Sequence, residues 1–279
     1  MQKYWPPLSS PLARPRKCME IRRTTLRDRI VSALSNASST LPFVLAGWEG
    51  GSAAFDLVDE YSDIDLNFLL DGANAEEPFY ATIQSALEEV SPVVASHPEP
   101  PGRYFKLAAG GDFLLVDVCV FQKGAYGEYL DPERHGKLKP LFDKGEWLRF
   151  KPSERDSQET RRAKRSQDLE EWFSVSQSFV QKAIYRGQEA EALAAFWGYT
   201  LKPLVELLRM RYCSTRWDFG MRYLQRDLPG PVYNQLRDIM FVGDPSDLKE
   251  HHAKAVAWGQ LLLQELELSR AGDPPPKAG

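Results

Sequence analysis

The chain is poor in cysteine and carries no excess of positive charge. Its 279 residues include three cysteines, Cys18, Cys119 and Cys213, which are far apart in the sequence. No Cys-x-x-Cys pair occurs, and this excludes the usual zinc-finger and dithiol motifs. The net charge is −4, so the overall electrostatic field opposes a nucleic-acid backbone. We therefore expect a cytoplasmic protein whose partners do not include nucleic acid.

The sequence also lacks a long apolar run. A membrane-spanning helix needs about 18 or more apolar residues in succession, and the longest candidate, residues 193–208, carries Lys202 and Glu206. Residues 1–18 contain prolines and mixed charge without an apolar core, so they do not resemble a signal peptide. We expect no membrane association, a disordered N-terminal extension over 1–18 and a disordered tail over 271–279.

The rest of the chain shows two different kinds of sequence pattern. Up to about residue 150, helical and strand patterns alternate, and Gly110 to Asp112 form a turn signal between two strand-like runs. From about residue 155, long amphipathic helical patterns replace them. The predicted elements of the first half are helices over 22–37 and 76–90, a short helical segment near 53–57, and strands over 43–47, 64–70, 93–96, 104–108 and 113–121. The sequence thus predicts a mixed α/β sheet followed by a helical bundle.

Polar residues interrupt the apolar pattern between residues 44 and 70. An apolar strand leads into a turn at Gly51 and Ser52, and Asp63 and Asp65 then open a second strand. Alternate side chains of a strand point to the same face, so both carboxylates are predicted to lie on one face. Like charges held this close repel each other, and a hard divalent cation between them would make the arrangement favourable.

A third carboxylate, Asp117, stands in the middle of the otherwise apolar strand 113–121. Burying an isolated charge there is costly unless the charge is paired or binds a metal. If this strand lies beside the strand of Asp63 and Asp65, the three carboxylates converge. Such a cluster suits two Mg²⁺ ions about 3.5–4 Å apart, which would orient a triphosphate. The turn at Gly51 and Ser52 would let backbone N–H groups approach the phosphate oxygens.

This order of residues resembles the signature of the polymerase-β-like nucleotidyltransferases. Gly51-Ser52, then Asp63-Ile64-Asp65, then Asp117 match that signature in order and spacing over about 75 residues. The run from Asp59 to Leu66 is similar above all to the aminoglycoside and lincosamide nucleotidyltransferases. The resemblance implies an α+β (mixed α/β) nucleotidyltransferase domain over 19–150 and an all-α helical bundle over 151–270 that helps to form the acceptor cleft.

The resemblance also implies a reaction and a role for each residue. Asp63 and Asp65 would ligate both Mg²⁺ ions, Asp117 would complete the metal nearer the acceptor, and Gly51 and Ser52 would hold the β- and γ-phosphates. The product would be an acceptor hydroxyl carrying a nucleoside monophosphate, AMP from ATP in the preferred version. The expected partners are therefore a nucleoside triphosphate and a small polar acceptor.

Two other functions stay open at this point. One is an antitoxin-type enzyme that adenylylates a partner protein, which a flat apolar patch beside the carboxylates would favour. The other is a nucleotide-binding regulatory module without turnover. Asp56 would explain the second, because many relatives have a glycine there and a carboxylate near a triphosphate is unfavourable.

Several charged residues have weaker functional interpretations. Glu49 and Glu60 lie near the motif and could act as a general base. Arg209 follows a helical pattern and could complement the charge of a helix C-terminus. His251 and His252 are predicted to be surface or capping residues rather than metal ligands.

Overall fold

The computed structural model describes residues 16–72, 74–151 and 153–271. Its backbone divides into two units, Met1–Lys151 and Pro152–Gly279. The predicted disorder over 1–18 and 271–279 lies outside the described residues, apart from residues 16–18 and 271, which are helical. Of the helices that are described, none combines the length and the apolar character needed to cross a membrane.

The first unit is a mixed sheet with helices, as the sequence predicts. Its helices are α1 (Arg16–Thr40), α2 (Gly51–Ala54), α3 (Glu76–Val90) and α4 (Pro132–His135). Its strands are β1 (Val44–Glu49), β2 (Ile64–Leu70), β3 (Val93–Glu99), β4 (Gly102–Leu107), β5 (Leu115–Gln122) and β6 (Lys139–Asp143). The six strands lie in the order β3-β4-β5-β2-β1-β6. The central pair β2 and β5 is parallel, and the other pairs are antiparallel.

One face of this sheet is covered by α1 and α3. In α3 the buried residues Phe79, Ile83 and Leu87 recur at four-residue spacing, which puts them on one side of the helix. They pack in the same apolar cluster as Leu66 of β2 and Val118 of β5. Burial of these side chains is the main stabilising contribution of this layer.

The opposite face of the sheet is apolar at one end and polar at the other. A smaller cluster of Ala46, Trp48, Leu69, Phe121 and their neighbours fills the end near the C-termini of β2 and β5. Towards the N-termini of the same strands, half-buried polar residues alternate with the buried ones. This polar end carries the acidic residues of the sequence motif.

Three details of the first unit differ from the sequence-based prediction. Strand β6 has no counterpart in it, because Pro140 argues against a strand, yet β6 lies at the sheet edge, where a missing N–H is tolerated. Helix α1 begins at Arg16 rather than at residue 22. Strand β2 spans Ile64–Leu70, as predicted, but Asp63 precedes the strand that it was predicted to open together with Asp65.

The second unit is helical, as predicted. It contains α5 (Ser153–Tyr185), α6 (Glu189–Ala195), α7 (Lys202–Tyr212), α8 (Leu224–Asp227), α9 (Gly230–Met240) and α10 (Leu248–Ala271), with a π-helical stretch at Phe196–Leu201. One apolar cluster, which includes Phe173, Leu204 and Leu262, joins α5, α7 and α10. The α+β sheet followed by an all-α region confirms the predicted fold class.

Two of the residues that have weaker sequence interpretations, Arg209 and His252, are buried in this unit. Arg209 is fully buried and forms an ion pair with Asp227 at 3.0 Å, so it compensates a buried charge. His252 is 4% exposed, and its Nε2 lies 3.1 Å from Oε1 of Gln177. The prediction that His252 is a surface or capping residue is therefore wrong, because a neutral imidazole with a hydrogen-bond partner can be buried.

Candidate active site

Two of the three motif carboxylates stand side by side on the sheet. Asp65 of β2 is the register partner of Asp117 of β5 in the parallel pair, and Tyr104 of β4 is the antiparallel partner of Asp117. Register partners on neighbouring strands lie about 4.8 Å apart and point to the same face. Tyr104, Asp117 and Asp65 therefore form a row across three strands on the half-buried face.

The negative charge of this row contributes to the raised pKa values of two neighbouring side chains. Burial, the charge of Asp117 and a hydrogen bond from the Tyr104 hydroxyl to Asp117 raise the pKa of Tyr104. Burial and the charge of Asp117 raise the pKa of the Cys119 thiol to about 12. A bound cation would offset this negative charge, because it would stabilise the ionised form of both carboxylates.

Gly51 lies directly against the carboxylate of Asp65. Its φ is +54°, and a Cβ on this residue would come within 1.7 Å of Oδ2 of Asp65. Its neighbour Gly50 donates its backbone N–H to the carbonyl of Asp65 at 2.9 Å. The turn predicted from the sequence is thus packed onto the first strand carboxylate, and only glycine fits at position 51.

The hydroxyl of Ser52 is a buried polar group that lacks a partner. No protein group in the described part of the chain forms a hydrogen bond with its Oγ atom. Such a group normally finds a partner, since burying it alone costs free energy. A phosphate oxygen bound beside Gly51 would accept a hydrogen bond from this hydroxyl.

Asp63 has a different environment from that of Asp65 and Asp117. Its Oδ1 accepts a hydrogen bond from the backbone N–H of Leu115 at 3.3 Å, which ties the start of β2 to the start of β5. Its backbone carbonyl accepts a hydrogen bond from Arg27 of α1 at 2.6 Å. One oxygen of the Asp63 carboxylate is thus engaged by the protein backbone.

Glu49 is paired on the helix-covered face. Its register partner on β2 is Leu66, a residue of the core beneath α1 and α3. The Glu49 carboxylate forms an ion pair with Arg27. Because Asp65 points to the opposite face, this pair gives Glu49 a structural role and removes the reason to consider it as a general base.

The described residues do not contain a ready-made metal centre. Within 16–72, 74–151 and 153–271, no group of three or more His, Cys, Asp or Glu side chains is placed to hold an ion. The structure therefore brings together Asp65, Asp117, Gly51 and Ser52, while Asp63 lies at the strand start with one oxygen engaged. The metal-binding roles stay predictions.

Asp56, the residue that departs from the signature, is bound to two lysines. Its carboxylate lies 2.8 Å from Nζ of Lys139 and 3.3 Å from Nζ of Lys137. Hydrogen bonds and charge from Lys139 and Lys137 lower the pKa of Asp56. Its φ is +57°, a conformation that glycine adopts more readily than aspartate.

Exposed apolar side chains flank the starts of β2 and β5. Tyr61 and Phe113 make an edge-to-face contact with ring centroids 5.2 Å apart, and both are more than half exposed. Leu57 and Val58 of the same loop as Tyr61 are exposed as well. No motif or pattern in the sequence predicts a role for these residues.

Other site residues also escaped the sequence analysis. Tyr104 is distant from the motif in sequence, and only the pairing of β4 with β5 brings it to Asp117. Gly102 is a further example, because a Cβ there would lie 3.1 Å from Oδ1 of Asp117 and 2.9 Å from Sγ of Cys119. Long-range pairing of this kind leaves no local signal in a single sequence.

Comparisons with known proteins give structural matches alone. Neither the protein-family models nor the curated proteins contain a match. Among solved structures, an aminoglycoside 6-adenyltransferase from Bacillus subtilis is 11% identical, with 90% of this chain and 93% of that chain covered and a TM-score of 0.34. The Bradyrhizobium diazoefficiens CD-NTase CdnG, solved in complex with GTP, is 12% identical, with 96% of this chain and 83% of that chain covered and a TM-score of 0.25. Both names agree with the motif resemblance, but similarities this weak carry no argument about the activity of this chain.

Proposed function

We propose that the protein is a Mg²⁺-dependent nucleotidyltransferase that transfers a nucleoside monophosphate, AMP from ATP, to a hydroxyl of a small polar molecule. One observation carries this proposal. Asp65 and Asp117 are register partners on parallel strands, and Gly51 abuts the carboxylate of Asp65. Two carboxylates that could share a cation thus stand beside a turn that is free of side-chain bulk, and a metal-bound triphosphate would require both features.

The donor set at this face fits a hard divalent cation, because carboxylate oxygens are the ligands that Mg²⁺ prefers. Asp65 and Asp117 would hold it, with Asp63 contributing the oxygen that Leu115 does not engage. Mg²⁺ bound there would supply charge neutralisation for the triphosphate and for the leaving pyrophosphate.

Other residues of the site would bind a phosphate, accept the acceptor's proton or orient a carboxylate. The Ser52 hydroxyl, buried without a protein partner in the described chain, would donate a hydrogen bond to a phosphate oxygen. Asp117 would accept the proton of the acceptor hydroxyl. Tyr104, which donates a hydrogen bond to Asp117, would fix the orientation of that carboxylate.

A second candidate function is the adenylylation of a partner protein. The exposed apolar side chains of Leu57, Val58, Tyr61 and Phe113 lie close in sequence to the starts of β2 and β5. Apolar patches rimmed by polar residues are typical of protein-binding surfaces. These exposed side chains, of which Tyr61 and Phe113 are in contact, are the specific observation that favours a protein acceptor over a small molecule.

A transfer assay separates these possibilities. Labelled ATP and Mg²⁺ would be incubated with the protein and, in turn, with aminoglycosides, a lincosamide, a tRNA and a lysate protein fraction. We expect label on a small molecule, and no label with Asp65→Asn. Asp71→Asn is the matched control, because Asp71 forms an exposed ion pair with Lys123 at 2.7 Å beyond the far end of β2.

Each other outcome of this assay has a defined meaning. Label on a protein band would favour the protein-modifying function. Label on tRNA would contradict the argument from net charge. Binding of Mg-ATP without label on any acceptor, over a widened panel, would favour the regulatory module, and equal labelling by wild type and Asp65→Asn would overturn the proposed site.

A further inference from the structure

The helical unit contains a cavity of about 190 Å³. It lies where the first turn of α6 meets the segment 241–247 between α9 and α10. Its lining includes Glu189, Ala190, Leu193, Val242, Asp244 and Leu248. The function proposed above uses none of these residues, so the cavity has no role assigned to it.

The wall of the cavity is largely apolar, and water reaches part of it. Leu248 is 3% exposed and belongs to the apolar core of the unit, against which Val242 packs. Leu193 is 43% exposed, so the cavity is open to solvent. Gly243 also lines the cavity, and a Cβ there would meet no atom of the described chain within 4 Å. The protein therefore leaves this space unfilled.

The size of the cavity sets the size of a ligand. A closed apolar cavity of roughly 150 Å³ holds a benzene molecule, so this cavity has room for a body about as large as a phenyl ring. An apolar body placed here would remove part of the exposed surface of Leu193 from water, which is favourable. The shape and lining thus favour a small ligand with an apolar part.

Two carboxylates at the cavity set the charge of the ligand. The side chain of Glu189, at the start of α6, has no hydrogen bond or ion pair with any other described residue. Oδ1 of Asp244 accepts hydrogen bonds from the backbone N–H and the hydroxyl of Ser246, at 2.9 and 2.6 Å, and these bonds lower the pKa of Asp244. The ammonium of Lys249 lies instead over the ring of Tyr185. Neither carboxylate is therefore neutralised by a cation of the described chain.

We propose that this cavity binds a small organic cation, with a primary ammonium group on an apolar body about the size of a phenyl ring. The body contacts Leu193, Val242 and Leu248, and the ammonium group interacts with the carboxylates of Glu189 and Asp244. A neutral ligand of the same shape gains only the apolar contacts, and an anionic one is repelled. The site belongs to the helical unit and does not rest on nucleotide transfer.

A titration of the full-length protein with phenethylammonium tests this proposal. NMR spectra of isotope-labelled leucine and valine methyl groups locate the ligand, because the signals of Leu193, Val242 and Leu248 should shift. A ligand of about nine non-hydrogen atoms should bind with an about millimolar dissociation constant. Phenethyl alcohol should bind about two- to five-fold more weakly, the scale of an exposed ion pair. Hydrocinnamate, the anionic probe, should bind more weakly still.

Variants of the lining separate the charge from the apolar contacts. Glu189→Gln and Asp244→Asn should each weaken phenethylammonium binding by about two- to five-fold and leave phenethyl alcohol binding unchanged. Asn can still accept the hydrogen bonds from Ser246. Glu191→Gln is the matched control, because Glu191 is an exposed residue of the same helical turn that does not line the cavity. Ala190→Leu, at an exposed helical position, should fill the cavity and abolish binding of both probes.

Four results would each overturn the inference. In the first, the methyl signals of the lining residues do not respond to phenethylammonium. In the second, the alcohol binds as tightly as the ammonium compound. In the third, Glu191→Gln weakens binding as much as Glu189→Gln. In the fourth, the same methyl signals shift with protein concentration in the absence of any probe, which would make a second copy of the chain the occupant. Nucleotide transfer is measured separately, so its absence would refute the proposed function alone.

Discussion

At the scale of single residues, the site depends on glycines, which have no side chain, as much as on its carboxylates. Gly51 leaves room for the carboxylate of Asp65, and Gly102 leaves room for Asp117. A sequence shows such a glycine as a turn signal. The contact that requires it becomes visible only when the partner strand is known.

Gly51→Ala tests this close approach. The substitution combines an unfavourable positive φ with a Cβ only 1.7 Å from Oδ2 of Asp65, whereas Gly111, at φ +66°, has nothing within 4 Å of its Cβ position. Gly111→Ala should cost about 1–3 kcal/mol, the strain of a backbone conformation, φ +66° and ψ −150°, that is normally adopted by glycine alone. We expect Gly51→Ala to lower the melting temperature further and to abolish Mg-ATP binding. Equal melting temperatures and intact nucleotide binding would show that the turn adjusts without disturbing Asp65.

Replacement of the carboxylates separates their effects on activity from those on stability. Asp65→Asn and Asp117→Asn keep the shape but remove ligand charge, and Asp63→Asn does the same at the strand start. Loss of an outer-shell partner of a metal costs about 10–100-fold, so loss of a ligand should lower transfer by more than about 100-fold. The three effects should be far from additive. Turnover of Asp65→Asn within a few-fold of wild type would contradict the metal assignment.

The same variants should remain folded. Without Mg²⁺, Asp65 and Asp117 are neighbouring like charges, so removing one of them relieves repulsion. We expect the melting temperature of Asp65→Asn in a metal chelator to equal or exceed that of wild type. A large fall would indicate that Asp65 has a structural role that its register does not reveal.

At the scale of elements, the helical unit shows how one proline is accommodated. Pro203 has no N–H to donate, so the carbonyl of Tyr199, four residues earlier, loses its usual helical partner. The π-helical stretch Phe196–Leu201 precedes this point, and the Tyr199 carbonyl instead accepts a hydrogen bond from Nε2 of Gln177 at 3.0 Å. Oε1 of Gln177 in turn accepts a hydrogen bond from the Thr200 hydroxyl at 2.6 Å.

Gln177→Leu should therefore destabilise the helical unit. The side chain is 4% exposed, and its loss leaves the Tyr199 carbonyl and the Thr200 hydroxyl buried without their present partner. We expect a loss of about 2–4 kcal/mol in the free energy of unfolding, measured in urea. Gln167→Leu, an exposed glutamine of the same helix, should change it by less than about 0.5 kcal/mol. Equal effects of the two substitutions would contradict the role of Gln177.

Elements with a strong local signal could be predicted from the sequence, and those set by pairing could not. The alternation of β2 and the four-residue spacing in α3 mark these elements directly. Strand β6 was missed because Pro140 is a local argument against a strand, and its place at the edge depends on β1. The hydrogen-bond partner of the Tyr199 carbonyl in the π-helical stretch, Gln177, lies on another helix.

At the scale of the whole molecule, the sequence predicts the chemistry of the site better than its geometry. The carboxylates and the Gly-Ser turn are local in sequence or lie in an evidently buried strand. Their convergence depends on β2 and β5 being parallel neighbours, which the sequence analysis could state only as a condition. Tyr104 joins the site through strand pairing alone, so no pattern marks it.

The pH dependence of stability should arise in the helical unit, at His252. Burial lowers the pKa of His252, so the unfolded chain binds this proton more readily than the folded protein. Stability is therefore complete above the unfolded pKa of about 6.5 and falls as the pH drops below it, by at most about 1.4 kcal/mol at pH 5.5. His252→Gln can still donate to Oε1 of Gln177, the present partner of the imidazole, but does not titrate. Urea unfolding of wild type and variant at about pH 7.5 and 5.5 measures the difference. An unchanged pH dependence in the variant would mean that another group carries it, and a wild-type protein that gains stability on acidification would show that the sign is wrong.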